Sequence, residues 1–89
     1  MFYVYVLFSK KDNKFYIGFT RNLKRRIKEH YDGLVISTSK RRPLILIMYE
    51  AYIIEEDARA REKFFKTTKG KMQLRKQLKT SLLNINMPT

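Results

Sequence analysis

The opening stretch FYVYVLFSKKDNKFYIGFT, residues 2–20, constrains the fold more than any other part of the chain. Two runs of alternating side-chain character flank the polar segment SKKDNK, and a period of two is the mark of extended strands. In the first run Phe2, Val4, Val6 and Phe8 share one face, while Tyr3, Tyr5 and Leu7 share the other. In the second, Phe15, Ile17 and Phe19 oppose Tyr16 and Gly18. A hairpin is expected, with the Phe/Val set as core and the tyrosines in phase on the second face.

The segment TRNLKRRIKEHY follows, in which Thr20 or Asn22 can cap a helix and Leu23, Ile27 and Tyr31 recur every four residues. DGLVISTSKRRP has no periodicity and closes on Pro43, so it reads as a loop before a strand, LILIMYE. Residues 55–68 open on Glu55, Glu56 and Asp57, suited to the positive end of a helix dipole, and Gly70 reads as the terminator of this second helix. Leu74, Leu78 and Leu82 mark a third helix, and the tail from about residue 84 is expected to fray. The order β-β-α-β-α-α predicts an α+β fold: a small, mainly antiparallel three-stranded sheet flanked by helices.

Eighty-nine residues with 44% hydrophobic content suit one small domain over residues 1–89 that folds without staples. Cysteine is absent and histidine occurs once, which excludes disulfides, thiolate metal sites and His-rich zinc clusters; a metal would be held mainly by oxygen. No apolar run reaches membrane-spanning length and the chain starts directly in a strand, so the expectation is a cytoplasmic protein without a signal peptide. Twenty Lys and Arg against eight Asp and Glu give a net charge of +12, which points to a polyanionic partner. The charge is uneven, since Glu62 is the last acid and only basic residues follow it. A nucleic acid is expected to meet Lys40, Arg41, Arg42, Lys71, Arg75, Lys76 and Lys79.

On a helical wheel with Leu23 at zero, Ile27 lies at about 40°, His30 at about −20° and Arg26 at about −60°. Arg26 and His30 thus border the buried stripe, while Arg25, Lys28 and Glu29 point to water. In the second helix Glu62 falls about 40° from Ala58, on the apolar side, where an unpaired carboxylate is costly. It is either salt-bridged to a nearby cation or a ligand for a hard cation. A tyrosine-lined sheet face, an arginine and a histidine at i,i+4 and one semi-buried acid in a basic protein supply a base, a clamp and a metal site for phosphodiester hydrolysis.

The pair Tyr3-Val4-Tyr5 and Tyr16-Ile17-Gly18, separated by ten residues, resembles the paired signature of the GIY-YIG nuclease family. FYIGFTRNLKRRIKEH resembles its second signature running into the arginine-bearing helix, and ARAREKFFKT resembles the helix that carries its metal-binding glutamate. The likeness spans nearly the whole chain and is greatest to small single-domain bacterial members, which resemble the N-terminal nuclease domain of the excision-repair incision subunit. By position it implies that Tyr5 and Tyr16 are the motif tyrosines, Gly18 the motif glycine, Arg26 the helix arginine, His30 the residue one turn later and Glu62 the metal ligand. Tyr3 stands where the family name has glycine. The family's later asparagine has no counterpart in KGKMQLRK, and Asn84 and Asn86 lie farther on.

The resemblance implies a metal-dependent DNA endonuclease using Mg²⁺ or Mn²⁺, with a tyrosine as general base, Arg26 on the phosphate, and 5′-phosphate and 3′-hydroxyl products. Single-stranded, branched or damaged DNA is the expected partner, with a further protein supplying specificity and no membrane. Gly18 either lets backbone and substrate approach or marks a strand bulge. The alternative function is a nucleic-acid-binding module that keeps the fold and has lost turnover. A ribosome-associated or membrane-surface role would rest on charge alone.

Overall fold

The structure, a computed structural model, describes residues 1–86. Strands β1 (Phe2–Ser9) and β2 (Phe15–Thr20) form the expected antiparallel hairpin, and β3 (Leu44–Tyr52) pairs antiparallel with the other side of β1, giving the order β2-β1-β3. Tyr5 faces Gly18 on β2 and Tyr49 on β3, and a register shift between Val6 and Leu7 offsets the β3 pairing. Among the described residues there are five helices: α1 (Leu23–Tyr31), α2 (Ile36–Ser39), α3 (Glu55–Phe65), α4 (Thr68–Gln77) and α5 (Lys79–Asn86). The fold is α+β, with the two alternating runs as its hairpin.

Each face of the sheet carries its own core. Val4, Val6, Phe8, Phe15 and Ile17 pack against Ala58 and Phe65 of α3 and against Leu74 and Leu78. On the opposite face Tyr5 and Leu7 are buried with Ile27 of α1 and Leu44, and Leu23 packs beside them. The tyrosine face is therefore as dry as the Phe/Val face around Tyr5, because the stripe of α1 covers it. Burying each such aliphatic side chain contributes about 1.5–3 kcal/mol, so α1 is fixed over the tyrosines by its own apolar residues.

Local chemistry sets the helix ends. Asn22 is the N-cap of α1, its side chain accepting from the Arg25 N–H at 3.1 Å. Segment 32–43, expected as an unbroken loop, contains the short helix α2, which buries Thr38. The second helix stops at Phe65 rather than near Thr68, and Thr67 caps α4 by accepting from Gly70 N–H at 3.0 Å. Gly70 is thus no terminator. A Cβ there would sit 2.0 Å from the Phe64 carbonyl oxygen, so glycine lets the first turn of α4 rest on the end of α3.

The leucine stripe continues across a break. Leu78 ends α4, its N–H bonded to the Leu74 carbonyl at 2.8 Å, and α5 resumes at Lys79 with Leu82 beside the same core. Helix α5 runs through Asn86, past the start of the expected fray, and residues 87–89 of that tail lie outside the described residues. Helix α3 is tied to β3 by Arg61, whose guanidinium holds both oxygens of Glu50 at 3.0 and 3.1 Å while stacking 4.4 Å from the Phe65 ring centre. This bidentate pair orients the face on which Glu62 stands.

Candidate active site

Tyr5 lies at the centre of the middle strand, its ring turned over Gly18 on β2. A Cβ on Gly18 would come within 2.2 Å of Tyr5 Cζ and 2.3 Å of its hydroxyl, so only glycine permits this placement. Of the two sequence readings of Gly18, close approach is the one the geometry favours. What approaches is the Tyr5 ring of the same sheet, and the β1–β2 register runs through Gly18 without a bulge.

The Tyr5 hydroxyl lies 2.8 Å from His30 Nε2, and His30 Nδ1 lies 2.8 Å from Thr38 Oγ1. Thr38 donates its own proton to the Val35 carbonyl at 3.5 Å. Its oxygen is then an acceptor for His30 Nδ1–H, which leaves Nε2 to accept from the Tyr5 hydroxyl. A chain of hydrogen bonds runs from Tyr5 through His30 to Thr38 and ends on the backbone at Val35. Tyr5, His30 and Thr38 are at most 1% exposed, so none of these bonds competes with water.

Burial raises the Tyr5 phenol to about 12; hydrogen bonding by Arg26 opposes the rise, while Tyr16 and Glu62 add to it. His30 is lowered to about 4, first by burial and then by the Arg26 charge, with Glu29 acting in the other direction. At neutral pH the pair is a neutral phenol donating to a neutral imidazole. Added positive charge near the phenol oxygen would shift this balance toward phenolate.

Tyr16 sits beside this pair, its ring centre 5.1 Å from that of His30 and 6.4 Å from that of Tyr5. It is more exposed than Tyr5, and Ser37 donates to its hydroxyl at 3.5 Å. Arg26 is half-buried and held by Glu29 at 3.2 Å, so Glu29 is a partner within the site rather than the fully solvated residue the wheel predicts. Arg25 and Arg26 both line a cleft of about 460 Å³ with Phe19, Thr20 and Arg59.

Glu62 has a side chain 16% exposed, paired with Lys66 at 3.0 Å and Arg59 at 3.5 Å. The structure therefore brings Tyr5, Tyr16, Arg26, His30 and Glu62 into one electrostatic neighbourhood. The salt-bridged reading of Glu62 is realised in it. Among the described residues no group of three or more His, Cys, Asp and Glu could hold a metal ion. A single carboxylate suits a hydrated hard cation that takes its other oxygens from water and substrate phosphate, provided Lys66 and Arg59 release it.

The expected nucleic-acid contacts divide. Arg41, Lys71 and Arg75 line one cleft of about 410 Å³. Lys40 and Arg42 line another depression beside Tyr31, with Arg42 bonded to the Ser39 and Tyr31 carbonyls. Lys76 and Lys79 are exposed. Sequence reasoning missed three residues at the site. Arg59 and Lys66 stand at i−3 and i+4 from Glu62, a spacing that could have exposed them. Thr38 sits in a segment without periodicity, where no pattern signals it.

The sequence profile described as the GIY-YIG catalytic domain matches residues 1–76. A UPF0213 protein from Limosilactobacillus reuteri is 44% identical over 68 residues, covering 73% of this chain and 70% of its own length. A second from Pediococcus acidilactici is 39% identical over 77 residues, covering 83% and 78% respectively. The solution NMR structure of a UPF0213 protein from Bacillus halodurans is 36% identical, with a TM-score of 0.53 over 83% of this chain and 82% of that one.

Proposed function

This chain belongs to the GIY-YIG catalytic domain family, a family of nucleases, and from that premise we propose that it is a divalent-metal-dependent DNA endonuclease. The observation that carries the reading is the hydrogen-bonded chain from Tyr5 to Thr38, buried beneath α1 and flanked by Arg26 and Glu62. A core position filled by a phenol and an imidazole costs desolvation that a Phe/Leu pair would avoid. It gains the ability to move a proton between two atoms 2.8 Å apart.

In the reaction, Tyr5 passes its proton to His30 Nε2 only as it takes one from the attacking water, and the phenolate character that develops is stabilised by Arg26. The water oxygen freed of that proton attacks phosphorus. The bond from phosphorus to the 3′-oxygen breaks, that oxygen takes a proton from solvent as His30 returns its own to solvent, and the ends are a 5′-phosphate and a 3′-hydroxyl. Thr38 holds the His30 ring in the tautomer whose Nε2 is free to accept. Arg26 presents a planar cation to the non-bridging oxygens, and Tyr16 bounds the space beside His30. Glu62 would hold Mg²⁺ or Mn²⁺, which when bound supplies positive charge toward the leaving oxygen.

The preferred substrate in this reading is single-stranded, branched or damaged DNA, in the cytoplasm, with a specificity partner. Among the described residues no helix is long and apolar enough to cross a membrane. One observation favours a second reading, a nucleic-acid-binding module without turnover: Glu62 is already neutralised by Lys66 and Arg59. Incubation with supercoiled, single-stranded, nicked and branched DNA in Mg²⁺ or Mn²⁺, beside a Glu62→Gln control, separates the two. Strand scission by the wild type alone supports the nuclease. Salt-sensitive binding with no scission above the control leaves the binding module.

A further inference from the structure

Strand β2 is one of the two outer strands of the sheet, and its ends line two cationic clefts of different character. At its Phe19–Thr20 end the cleft with Arg26 has Glu29 as its one acid, but three of its four cations are paired: Arg21 with Glu55 at 2.6 Å, Arg26 with Glu29 at 3.2 Å, and Arg59 with Glu62 at 3.5 Å. At its Phe15 end the cleft is lined by Lys14, Phe15, Arg41, Lys71 and Arg75, with Asp12 as its one acid.

Asp12 is committed to Arg41, whose Nε lies 2.6 Å away and holds the Asp12 carboxyl down at about 2. Among the described residues no carboxylate pairs with Lys14, Lys71 or Arg75. Arg75 is nevertheless held in place. Its Nη2 donates to the Asn13 carbonyl at 3.0 Å, and its guanidinium lies 5.0 Å from the centre of the Phe15 ring. Both partners are neutral, so they order the side chain without cancelling its charge. A cation fixed in this way has already lost much of the side-chain freedom that a solvated lysine gives up on binding a phosphate.

We propose that this second cleft grips the backbone phosphates of the same nucleic-acid strand whose reacting phosphate lies at Arg26, so that the strand runs along the outer edge of β2. The inference rests on the nuclease reading for the position of the reacting phosphate. From Phe15 to Phe19 a strand rises about 13 Å, which matches about four nucleotides at the axial rise of one DNA strand. The grip therefore engages only substrates that extend at least that far beyond the scissile position. It supplies affinity and register, whereas the cleft at Arg26 supplies chemistry.

The test is binding without divalent metal, which is independent of whether the protein cuts. Fluorescence anisotropy of labelled thymidine oligonucleotides, from a dinucleotide to a decamer, is measured in EDTA at several salt concentrations. Wild type is expected to gain on the order of tenfold or more in affinity once the oligonucleotide spans both clefts. Lys71→Gln with Arg75→Gln should abolish that gain, leave the shortest oligonucleotides unaffected, and lower the log-log salt slope by about 1.4, two contacts at about 0.7 each for single strands. Lys71→Gln alone keeps the Arg75 stacking and should lower the slope by about half as much. Lys76→Gln with Lys79→Gln, exposed residues outside the cleft, should change the slope by less than half of the effect of the first pair. Equal effects of the two double variants at every length would mean bulk charge and would overturn the proposal. Saturable displacement of the decamer by inorganic phosphate, beyond its ionic strength, would mark a free-anion site and overturn it as well.

Discussion

His30 is the one histidine of the chain, and its burial makes a thermodynamic prediction that does not depend on finding the substrate. The imidazole is depressed from 6.5 to about 4 in the folded protein, so the unfolded chain binds the proton more readily. Stability from this group is complete above pH 6.5 and is lost as the pH falls through that value toward about 4. At 1.36 kcal/mol per pH unit the gap is worth about 3 kcal/mol, a large share of the stability of a small domain. Urea unfolding of wild type and His30→Gln across this range isolates the effect, because the carboxylates that also titrate are common to both and cancel in the difference. Glutamine can still donate toward Thr38 and accept from Tyr5 but takes up no proton. The wild-type advantage is expected to shrink by about 3 kcal/mol from neutral pH to pH about 4. Parallel pH curves would refute the reasoning, as would an NMR titration of the single imidazole with a midpoint near its ordinary value.

Three further substitutions probe the geometry. Gly18→Ala puts a methyl group within 2.2 Å of Tyr5 Cζ, so it should destabilise the fold by about 1–3 kcal/mol and disrupt the Tyr5–His30 contact, checked by thermal melting and by the shift of the His30 ring signals. Arg26→Ala should slow single-turnover cleavage by on the order of 10²-fold with little change in DNA affinity, whereas Arg25→Ala, the exposed neighbour of equal charge, should weaken binding at low salt and leave saturated cleavage near wild type. Equal cleavage defects in the two arginine variants would reduce the helix to bulk charge.

The hairpin, its register of tyrosines and the inward side of α1 were legible because side-chain periodicity and burial are the same fact viewed twice. Tyr5 and His30 followed from alternation and the helical wheel, and Asn22 from its place before an apolar repeat. Elements set by tertiary contact were not legible. Thr38 is buried by α2, four residues too short to show a period, and matters because His30 reaches it across the fold. Gly70 looks like a terminator in isolation, but its role depends on the end of α3, which no local pattern encodes. The pairing of Glu62 was visible in its spacing to Arg59 and Lys66, which stand at i−3 and i+4 along the same run of helix.

The central claim is that the buried phenol exists to move a proton during phosphodiester cleavage. Tyr5→Phe tests it with the smallest change, since the ring keeps its place over Gly18 and only the hydroxyl bonded to His30 is lost, at a cost of about 1 kcal/mol. Single-turnover cleavage at saturating DNA with Mn²⁺ should fall by on the order of 10²-fold or more, the scale of a lost general acid–base group, with DNA affinity unchanged. A folded Tyr5→Phe variant that cleaves at the wild-type rate would contradict the account and leave the Tyr5–His30–Thr38 chain a packing feature of the sheet.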